Sequence, residues 1–413
     1  MTIDTGDTAF VIISAALVLL MTPGLAFFYG GLVRRKNVLN TMMASFGTIG
    51  VTSVMWVLIG YTLAFGPDLA GFIGSLDWFG LAGVDGAASA YAPTIPHLSF
   101  CAFQMMFAVI TPALITGAVA ERMKFTYQMI FTAVWSLIVY YPLAHMVWGE
   151  GGFLRNLGAL DFAGGNVVHI SSGVSALVAC ILLGKRKHSD VTRFVPHNVP
   201  FVLLGAGLLL FGWYGFNAGS ALSSGGLAAG AFMTTNTAAS SAMVSWMIFD
   251  QIFNGKSTAL GAATGLVVGL VAITPAAGFV PVWAAIIIGF AASPLSMFFI
   301  TVVKRIFKYD DSLDVFGCHG IGGIWGGIAT GLFASSSVNP AVTNEGVFFG
   351  GSLILPQLAA IGITVALAVG GTFVIIKTMS LFGKARVSER DESIGLDHSQ
   401  HGESAYPSFT GLD

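Results

Sequence analysis

Charged side chains are the scarcest feature of this sequence. Only 9% of its 413 residues are Asp, Glu, Lys or Arg, and 55% are apolar, whereas an ordinary soluble domain is about 25% charged. So few charges do not cover a water-exposed surface, which excludes a soluble enzyme and makes lipid the main solvent. The formal net charge of -2 also provides no basic surface for nucleic acid. The sequence predicts a membrane protein with no nucleic-acid partner.

Cysteine is rare as well. The three cysteines, Cys101, Cys180 and Cys318, lie in apolar segments, and none belongs to a C-x-x-C pair. This spacing is neither a disulfide framework nor a metal motif. We therefore expect no disulfide-stapled fold, and we predict no bound cofactor.

Long apolar stretches divide the chain into eleven candidate membrane spans, since a membrane helix needs about 20 mostly apolar residues. They lie near residues 8–32, 38–65, 96–120, 125–148, 162–184, 196–217, 227–253, 257–274, 281–303, 314–334 and 346–376. The first span follows acidic residues and precedes a basic cluster, which is typical of a true span and not of a signal peptide. The predicted fold is an all-α polytopic membrane protein, with a transmembrane domain over 1–376 and a cytoplasmic tail over 377–413.

The basic residues predict the orientation, because Lys and Arg accumulate on cytoplasmic loops. On the eleven-span assignment, 17 of the 18 basic residues fall on one side, and only Arg155 falls on the other. A missed span would move every later loop to the wrong side. We therefore expect the N-terminus outside and the C-terminus inside a cell membrane, either an inner or a plasma membrane. The outer loops are rich in acidic residues, which attract cations.

Two histidines indicate an internal repeat. His169 in span five and His319 in span ten are each followed four residues later by a glycine. Units of five spans, about 8–184 and 196–334, have opposite orientations because five is odd. The sequence thus predicts a 5+5 inverted repeat with a site at the midplane, and the span 346–376 is an extra helix.

A histidine inside a membrane span indicates function by default, because an ionisable group is costly there. One alternative is that each imidazole is simply buried and bonded to a carbonyl or hydroxyl group. A metal site that includes Cys318 is a weaker alternative. Cys318 and His319 are adjacent and point about 100° apart on a helix, and no carboxylate lies within a turn of either histidine. We predict no metal.

Carboxylates lie at the starts of spans five and ten. Asp161 begins span five, eight residues before His169, and is expected to cap that helix by accepting the amide hydrogen of Ala163 or Gly164. A buried charge held in this way would also favour a cation nearby. Three aspartates before span ten are expected to be structural for the same reason. They are Asp310, Asp311 and Asp314.

Aromatic residues are candidates for a cation site. Phe103 and Phe107 lie one turn apart on span three, and Trp148 and Phe216 lie at the outer ends of spans four and six. Singly, each is an ordinary core or interfacial aromatic, and only a shared site would make them a cation–π cage. Ser220 either offers an acceptor there or bonds back to its own helix. The sequence leaves these alternatives open.

Four longer motifs together resemble the ammonium transporter family of Amt, MEP and Rh proteins. They are GAVAER at 117–122, DFAGGNVVHISSG at 161–173, GFNAGS at 215–220 and DDSLDVFGCHG at 310–320. The resemblance runs from the first span to the tail, with the motifs in order. It implies an eleven-helix fold and a homotrimer with one pore in each subunit.

The resemblance also implies roles for individual residues. Trp148, Phe107 and Ser220, with Phe103 beside them, resemble the external site that recruits ammonium, and Asp161 lies under it. The stacked phenyl gate corresponds to Phe107 and Phe216, and the paired pore histidines correspond to His169 and His319. Trp148 and Ser220 favour the Amt branch, in its bacterial form.

The function that the resemblance implies is transport, not enzymatic catalysis. Ammonium, or methylammonium as its analogue, is recruited and deprotonated, and neutral ammonia passes a hydrophobic pore. The tail motifs ESIGLD at 392–397 and HGE at 401–403 resemble those of bacterial Amt tails that cooperate with a PII-type signal protein. One alternative is an ammonium sensor that uses the same site without flux, and another is an intramembrane metalloenzyme at the two histidines.

Overall fold

The computed structural model describes residues 2–187 and 194–407, and most of this part of the chain is helical. Its long helices are α1 (Thr5–Leu32), α2 (Arg35–Phe65), α3 (His97–Val119), α4 (125–148), α5 (Gly165–Leu183), α6 (Val199–Gly219), α7 (Gly226–Asn254), α8 (Ala259–Ile273), α9 (Val282–Phe307), α10 (316–333) and α11 (Ile354–Leu381). Among the described residues, eight helices are long and apolar enough to cross a membrane, and α7, α8 and α10 are shorter or less apolar. The all-helical membrane fold is as predicted, while the count of eleven spans and the orientation stay predictions.

Short strands and a short helix occupy the loops at one end of the bundle. Between α2 and α3, Asp68–Leu69 pairs antiparallel with Ile73–Gly74, and Ala88–Ser89 pairs with Ala92–Pro96. A single helical turn, Phe153–Asn156, follows α4. These loops surround the end of the bundle where α2 and α4 finish and α3 begins.

The starts of α5 and α10 have the same local structure. Each begins with a π-helical turn that contains a histidine, Gly165–Ile170 in α5 and Phe316–Ile321 in α10, and such turns are frequent at functional sites. An aspartate eight residues before each histidine accepts a backbone hydrogen bond at the helix start, as Asp311 Oδ2 does from the Phe316 amide at 2.8 Å. The two histidine segments therefore match locally, and the repeat over the whole chain stays a prediction.

The two histidine helices touch backbone to backbone. A Cβ atom added to Gly173 would lie 2.1 Å from the backbone nitrogen of Gly320, so no side chain fits at this crossing. Small residues let membrane helices approach in this way. The glycine therefore fixes the spacing between α5 and α10, and with it the separation of His169 and His319.

Charged residues gather at one end of the bundle, which we call the tail face. The Glu121 carboxylate contacts Arg34 at 2.9 Å and Arg186 at 3.0 Å, and Arg186 also contacts Asp310 at 2.8 Å. Burial alone would raise the pKa of Glu121, but Arg186 and Arg34 outweigh it and hold that pKa below its usual value. This network ties the end of α3 to the segment before α10.

The tail folds back onto this face. The amide of Leu396 donates to Asn37 Oδ1 at 2.8 Å, and the amide of Asn40 donates to Asp397 Oδ1 at 2.9 Å. Tyr406 places its hydroxyl 3.0 Å from His197 Nε2. The polar tail therefore covers the start of α2, and near its end it also contacts His197. The predicted tail runs to residue 413, and its last residues, 408–413, lie outside the described residues.

Candidate functional site

Three of the predicted cage residues line one cavity, which we call the vestibule, at the end of the bundle opposite the tail face. Trp148, Phe107 and Ser220 all border this space of about 220 Å³. The ring centroids of Phe107 and Trp148 are 6.0 Å apart with the planes at 86°. Phe103 is fully buried behind Phe107, with a centroid distance of 4.9 Å. The structure thus brings the four residues together, with Phe103 supporting the wall and not forming it.

Hydrogen bonds hold the vestibule wall in place. The Trp148 indole Nε1 donates to the main-chain oxygen of Asp161 at 2.9 Å, and Arg155 Nη1 donates to the Trp148 main-chain oxygen at 2.9 Å. Ser220 Oγ donates to the Phe216 carbonyl at 2.8 Å. That back-bond is one of the two alternatives left open by the sequence, and it leaves the hydroxyl oxygen free to accept another hydrogen.

The Asp161 carboxylate caps α5 more extensively than the sequence predicts. It accepts the amides of Gly164, Gly165, Asn166 and Val167, at 2.8, 2.6, 2.7 and 3.3 Å. Ala163, one of the two expected donors, is not among them, because the helix begins at Gly165 and its free amides therefore lie further along the chain than the sequence predicts. All four bonds go to one buried side chain, so its charge is dispersed over fixed backbone dipoles.

Two phenyl rings in tilted contact lie at the inner end of the vestibule. The centroids of Phe107 and Phe216 are 4.2 Å apart, with 35° between the planes, and both side chains are buried. Phe107 borders the vestibule, and Phe216 borders the next cavity. The pair therefore separates the vestibule from the interior.

The two histidines lie beyond this phenyl pair. The Nδ1 atoms of His169 and His319 are 3.3 Å apart, and both rings are buried. His169 Nε2 lies 3.4 Å from Thr274 Oγ1, and the Trp213 ring stacks on His169 at 5.3 Å. A hydrogen bond between the two Nδ1 atoms requires that only one of the two rings carries a hydrogen on Nδ1.

A narrow cavity, which we call the lumen, runs along the histidines. Its volume is about 20 Å³, and a single water molecule needs roughly 10 to 15 Å³ on this measure. The walls are almost entirely apolar apart from the two rings. They consist of Met21, Leu25, Phe28, Tyr29, Ile110, Leu114, Val168, His169, Leu209, Trp213, Phe216, Val267 and His319. Such a space admits one small neutral molecule at a time and gives an ion no hydration shell.

An aromatic residue, Phe28, also lies at the other end of the lumen. Phe28 borders both the lumen and a much larger cavity, of about 1340 Å³, at the tail face. Cys318 lines the tail-face cavity, whereas His319 lines the lumen. Among the described residues, no group of three or more His, Cys, Asp and Glu side chains is arranged to hold a metal ion.

The model of the Ammonium Transporter Family matches residues 9–406 of this sequence. The chain belongs to the ammonium transporter family. It is 54% identical to an ammonium transporter of Bacillus subtilis, over 97% of this chain and 98% of the relative. It is 46% identical to an ammonium transporter of Aquifex aeolicus, over 98% and 94% of the two chains.

Solved structures of the family have the same fold. Saccharomyces cerevisiae Mep2 superposes with a TM-score of 0.91 at 36% identity, covering 99% of this chain and 93% of the other. A sensor Amt protein superposes with a TM-score of 0.88 at 29% identity, covering 96% and 98%. Membership in the ammonium transporter family, together with the apolar helices, makes this chain a multi-pass membrane protein.

Sequence reasoning missed some residues that line the candidate site of this family member. Phe28 closes the lumen, Trp213 stacks on a histidine, Thr274 bonds to it, and Gln104 borders the vestibule. The likeness of the segment 27–31 to 213–217 in the two halves of the sequence was a usable signal for Phe28 and Trp213. Gln104 gave none, because a single glutamine in an apolar helix has no pattern.

Proposed function

We propose that this protein transports ammonium across a cell membrane by conducting neutral ammonia. One observation carries the proposal. The lumen contains His169 and His319, shares Phe28 with the tail-face cavity, and is bordered by Phe216, whose ring centroid lies 4.2 Å from that of Phe107 in the vestibule wall. A path that narrows to a dry space favours a small uncharged molecule over an ion.

Recruitment of the cation takes place in the vestibule. The faces of Trp148 and Phe107 attract a positive charge through their quadrupoles, and the Ser220 hydroxyl accepts one N–H hydrogen. These groups replace part of the hydration shell of ammonium or methylammonium. Asp161 lies just below and stabilises positive charge at this point, although its oxygens are already bonded to the helix amides.

Loss of the proton follows from desolvation at the phenyl pair. Moving a charge into an apolar space is expensive, and burial lowers the pKa of an ammonium-type group by up to about 3 to 5 units from a reference near 10.4. The proton is returned to water on the outer side or relayed separately, while ammonia passes between Phe107 and Phe216 and exchanges hydrogen bonds with His169 and His319. Potassium has no proton to lose and is rejected.

The distribution of basic residues predicts the orientation of the protein in the membrane. We place the vestibule outside the cell and the tail face in the cytoplasm of an inner or plasma membrane, with all eleven long helices spanning it as a 5+5 inverted repeat plus α11. The basic residues of the tail face support this orientation. The family resemblance supports a homotrimer, and it supports a PII-type signal protein as a partner at the tail face.

The experiment is ammonium-evoked current or uptake in liposomes that contain the purified protein. Flux driven by an ammonium gradient, with no flux for an equal potassium gradient, is expected. Binding of ammonium without any flux would refute transport.

A sensor is the second candidate function. The structural likeness to a sensor Amt protein favours it, because the same vestibule would bind ammonium and the docked tail would report occupancy. The liposome experiment separates the two functions. Flux supports a transporter, and a tail that moves on ammonium binding in a protein without flux supports a sensor.

A further inference from the structure

One polar group of the vestibule has no assigned role. Gln104 lies on α3 between Phe103 and Phe107 and borders the vestibule beside Trp148 and Ser220. Its side-chain oxygen Oε1 is shielded from solvent and has no hydrogen-bond partner in the described part of the chain. Leaving a buried carbonyl unpaired destabilises a protein, and such groups are uncommon. Because Gln104 also borders the vestibule, its unpaired acceptor is available to a ligand bound there.

The other vestibule groups provide few acceptors for a cation that carries hydrogens. The Trp148 indole N–H is already a donor to Asp161, and the guanidinium of Arg155 is only a donor. The aromatic faces attract charge without regard to the direction of an N–H bond. Ser220 Oγ is thus one directional acceptor, whereas ammonium has four N–H donors.

We propose that Gln104 Oε1 is a second directional acceptor in the vestibule and binds an N–H hydrogen of small primary ammonium ions. The residue as a whole is partly exposed, and its terminal torsion is soft, so a rotation presents the oxygen to a cation between Phe107 and Trp148. This inference rests on the proposed function, since it assumes that the vestibule binds ammonium. It makes Gln104 a residue that determines affinity for the cation and not passage through the lumen.

The test compares initial rates of ammonium uptake by the full-length protein in liposomes over a range of ammonium concentrations. Gln104→Leu removes the acceptor, so the KM is expected to rise about tenfold, as for loss of a hydrogen bond to a charged donor, with little change in the maximal uptake rate. Gln104→Glu keeps the acceptor and adds a charge, so its KM is expected to equal or fall below that of the original protein. A donor role of the amide would give the opposite result for this variant.

Gln128→Leu is the matched control. Gln128 lies on α4, outside the vestibule, and its Oε1 is also buried without a partner in the described part of the chain. This variant removes the same chemical group from another site, so its KM is expected to be unchanged. An equal rise in KM for both leucine variants would overturn the inference, because the effect would then come from general loss of structure.

Further outcomes keep the two proposals separate. An unchanged KM for Gln104→Leu in a protein that conducts ammonium overturns the role of Gln104 and leaves transport intact. Absence of ammonium uptake in the original protein overturns transport, and the ammonium-induced rise in melting temperature then decides the role of Gln104 by the same comparison. Should Gln104→Leu fail to fold, a tenfold higher KM for Gln104→Glu overturns the inference.

Discussion

The substitution Asp161→Asn tests how far the α5 cap supports the vestibule. An asparagine keeps one oxygen, which replaces Oδ1 and still accepts the amides of Gly164 and Gly165. Its NH2 group takes the place of Oδ2 and faces the amides of Asn166 and Val167, at 2.7 and 3.3 Å. The loss of one short and one long charge-assisted bond costs about 3 kcal/mol, since each such bond contributes about 1.5 to 3 kcal/mol.

The assay is thermal unfolding of the purified protein in detergent, followed by the KM for ammonium in liposomes. We expect Asp161→Asn to lower the melting temperature by several degrees. It is also expected to raise the KM, because the Trp148 indole bonds to the main-chain oxygen of Asp161. Both effects come from one displaced segment, so they should appear together.

Asp311→Asn is the matched control at the start of α10. Asp311 Oδ2 accepts the Phe316 amide at 2.8 Å, and Oδ1 has no hydrogen-bond partner among the described residues. An asparagine satisfies this arrangement with its single oxygen, so the expected change in stability is below about 1 kcal/mol. Equal melting temperatures for Asp161→Asn and the original protein, or equal losses in the two variants, would refute the reasoning.

Three further predictions concern other parts of the molecule. Trp148→Leu removes a cation–π contact of about 2 kcal/mol, so the KM for ammonium should rise more than tenfold; a KM like that of the original protein would make Trp148 an ordinary interfacial residue. Gly173→Ala places a methyl group against the backbone of Gly320, so it should destabilise the protein by about 1 to 3 kcal/mol in thermal unfolding, and an unchanged melting temperature would contradict the close crossing. Glu121→Gln should lower the melting temperature at pH 7, because the folded state holds the pKa of Glu121 below its usual value through Arg186. Ionised Glu121 stabilises the fold above its ordinary pKa of about 4.3, and this stabilisation is lost as the pH falls. The difference in melting temperature between Glu121→Gln and the original protein should therefore shrink at lower pH. A difference that does not change with pH would refute the ion-pair explanation.

The class of protein and its family were accessible from the sequence because they depend on composition and on long motifs. The small number of charged residues predicts that lipid is the main solvent. The motifs around His169 and His319 are long enough to be specific for the family. The predicted roles of Trp148, Phe107, Phe216 and the two histidines rest on this resemblance and stay predictions. Trp148 and Phe107 border the vestibule, and Phe216 and the two histidines border the lumen.

Details that depend on local backbone geometry were not accessible. The helix that follows Asp161 begins at Gly165 with a π turn, which helical periodicity does not predict because it assumes a regular α-helix. Phe103 lies behind Phe107 because of how α3 is rotated, which a one-turn spacing does not specify. Gln104 stands out because its Oε1 has no hydrogen-bond partner among the described residues. The missing partner can be recognised only from the positions of the neighbouring side chains.

The most direct test of the central claim is uptake by a variant in which both His169 and His319 are leucine, measured in liposomes under ammonium and potassium gradients. Thermal unfolding first establishes that the variant is folded. Because each ammonia loses hydrogen bonds of about 1 to 1.5 kcal/mol, the rate of ammonium uptake is predicted to change about tenfold or potassium to pass. Ammonium uptake and potassium exclusion identical to those of the original protein would contradict the claim that ammonia travels along the two imidazoles.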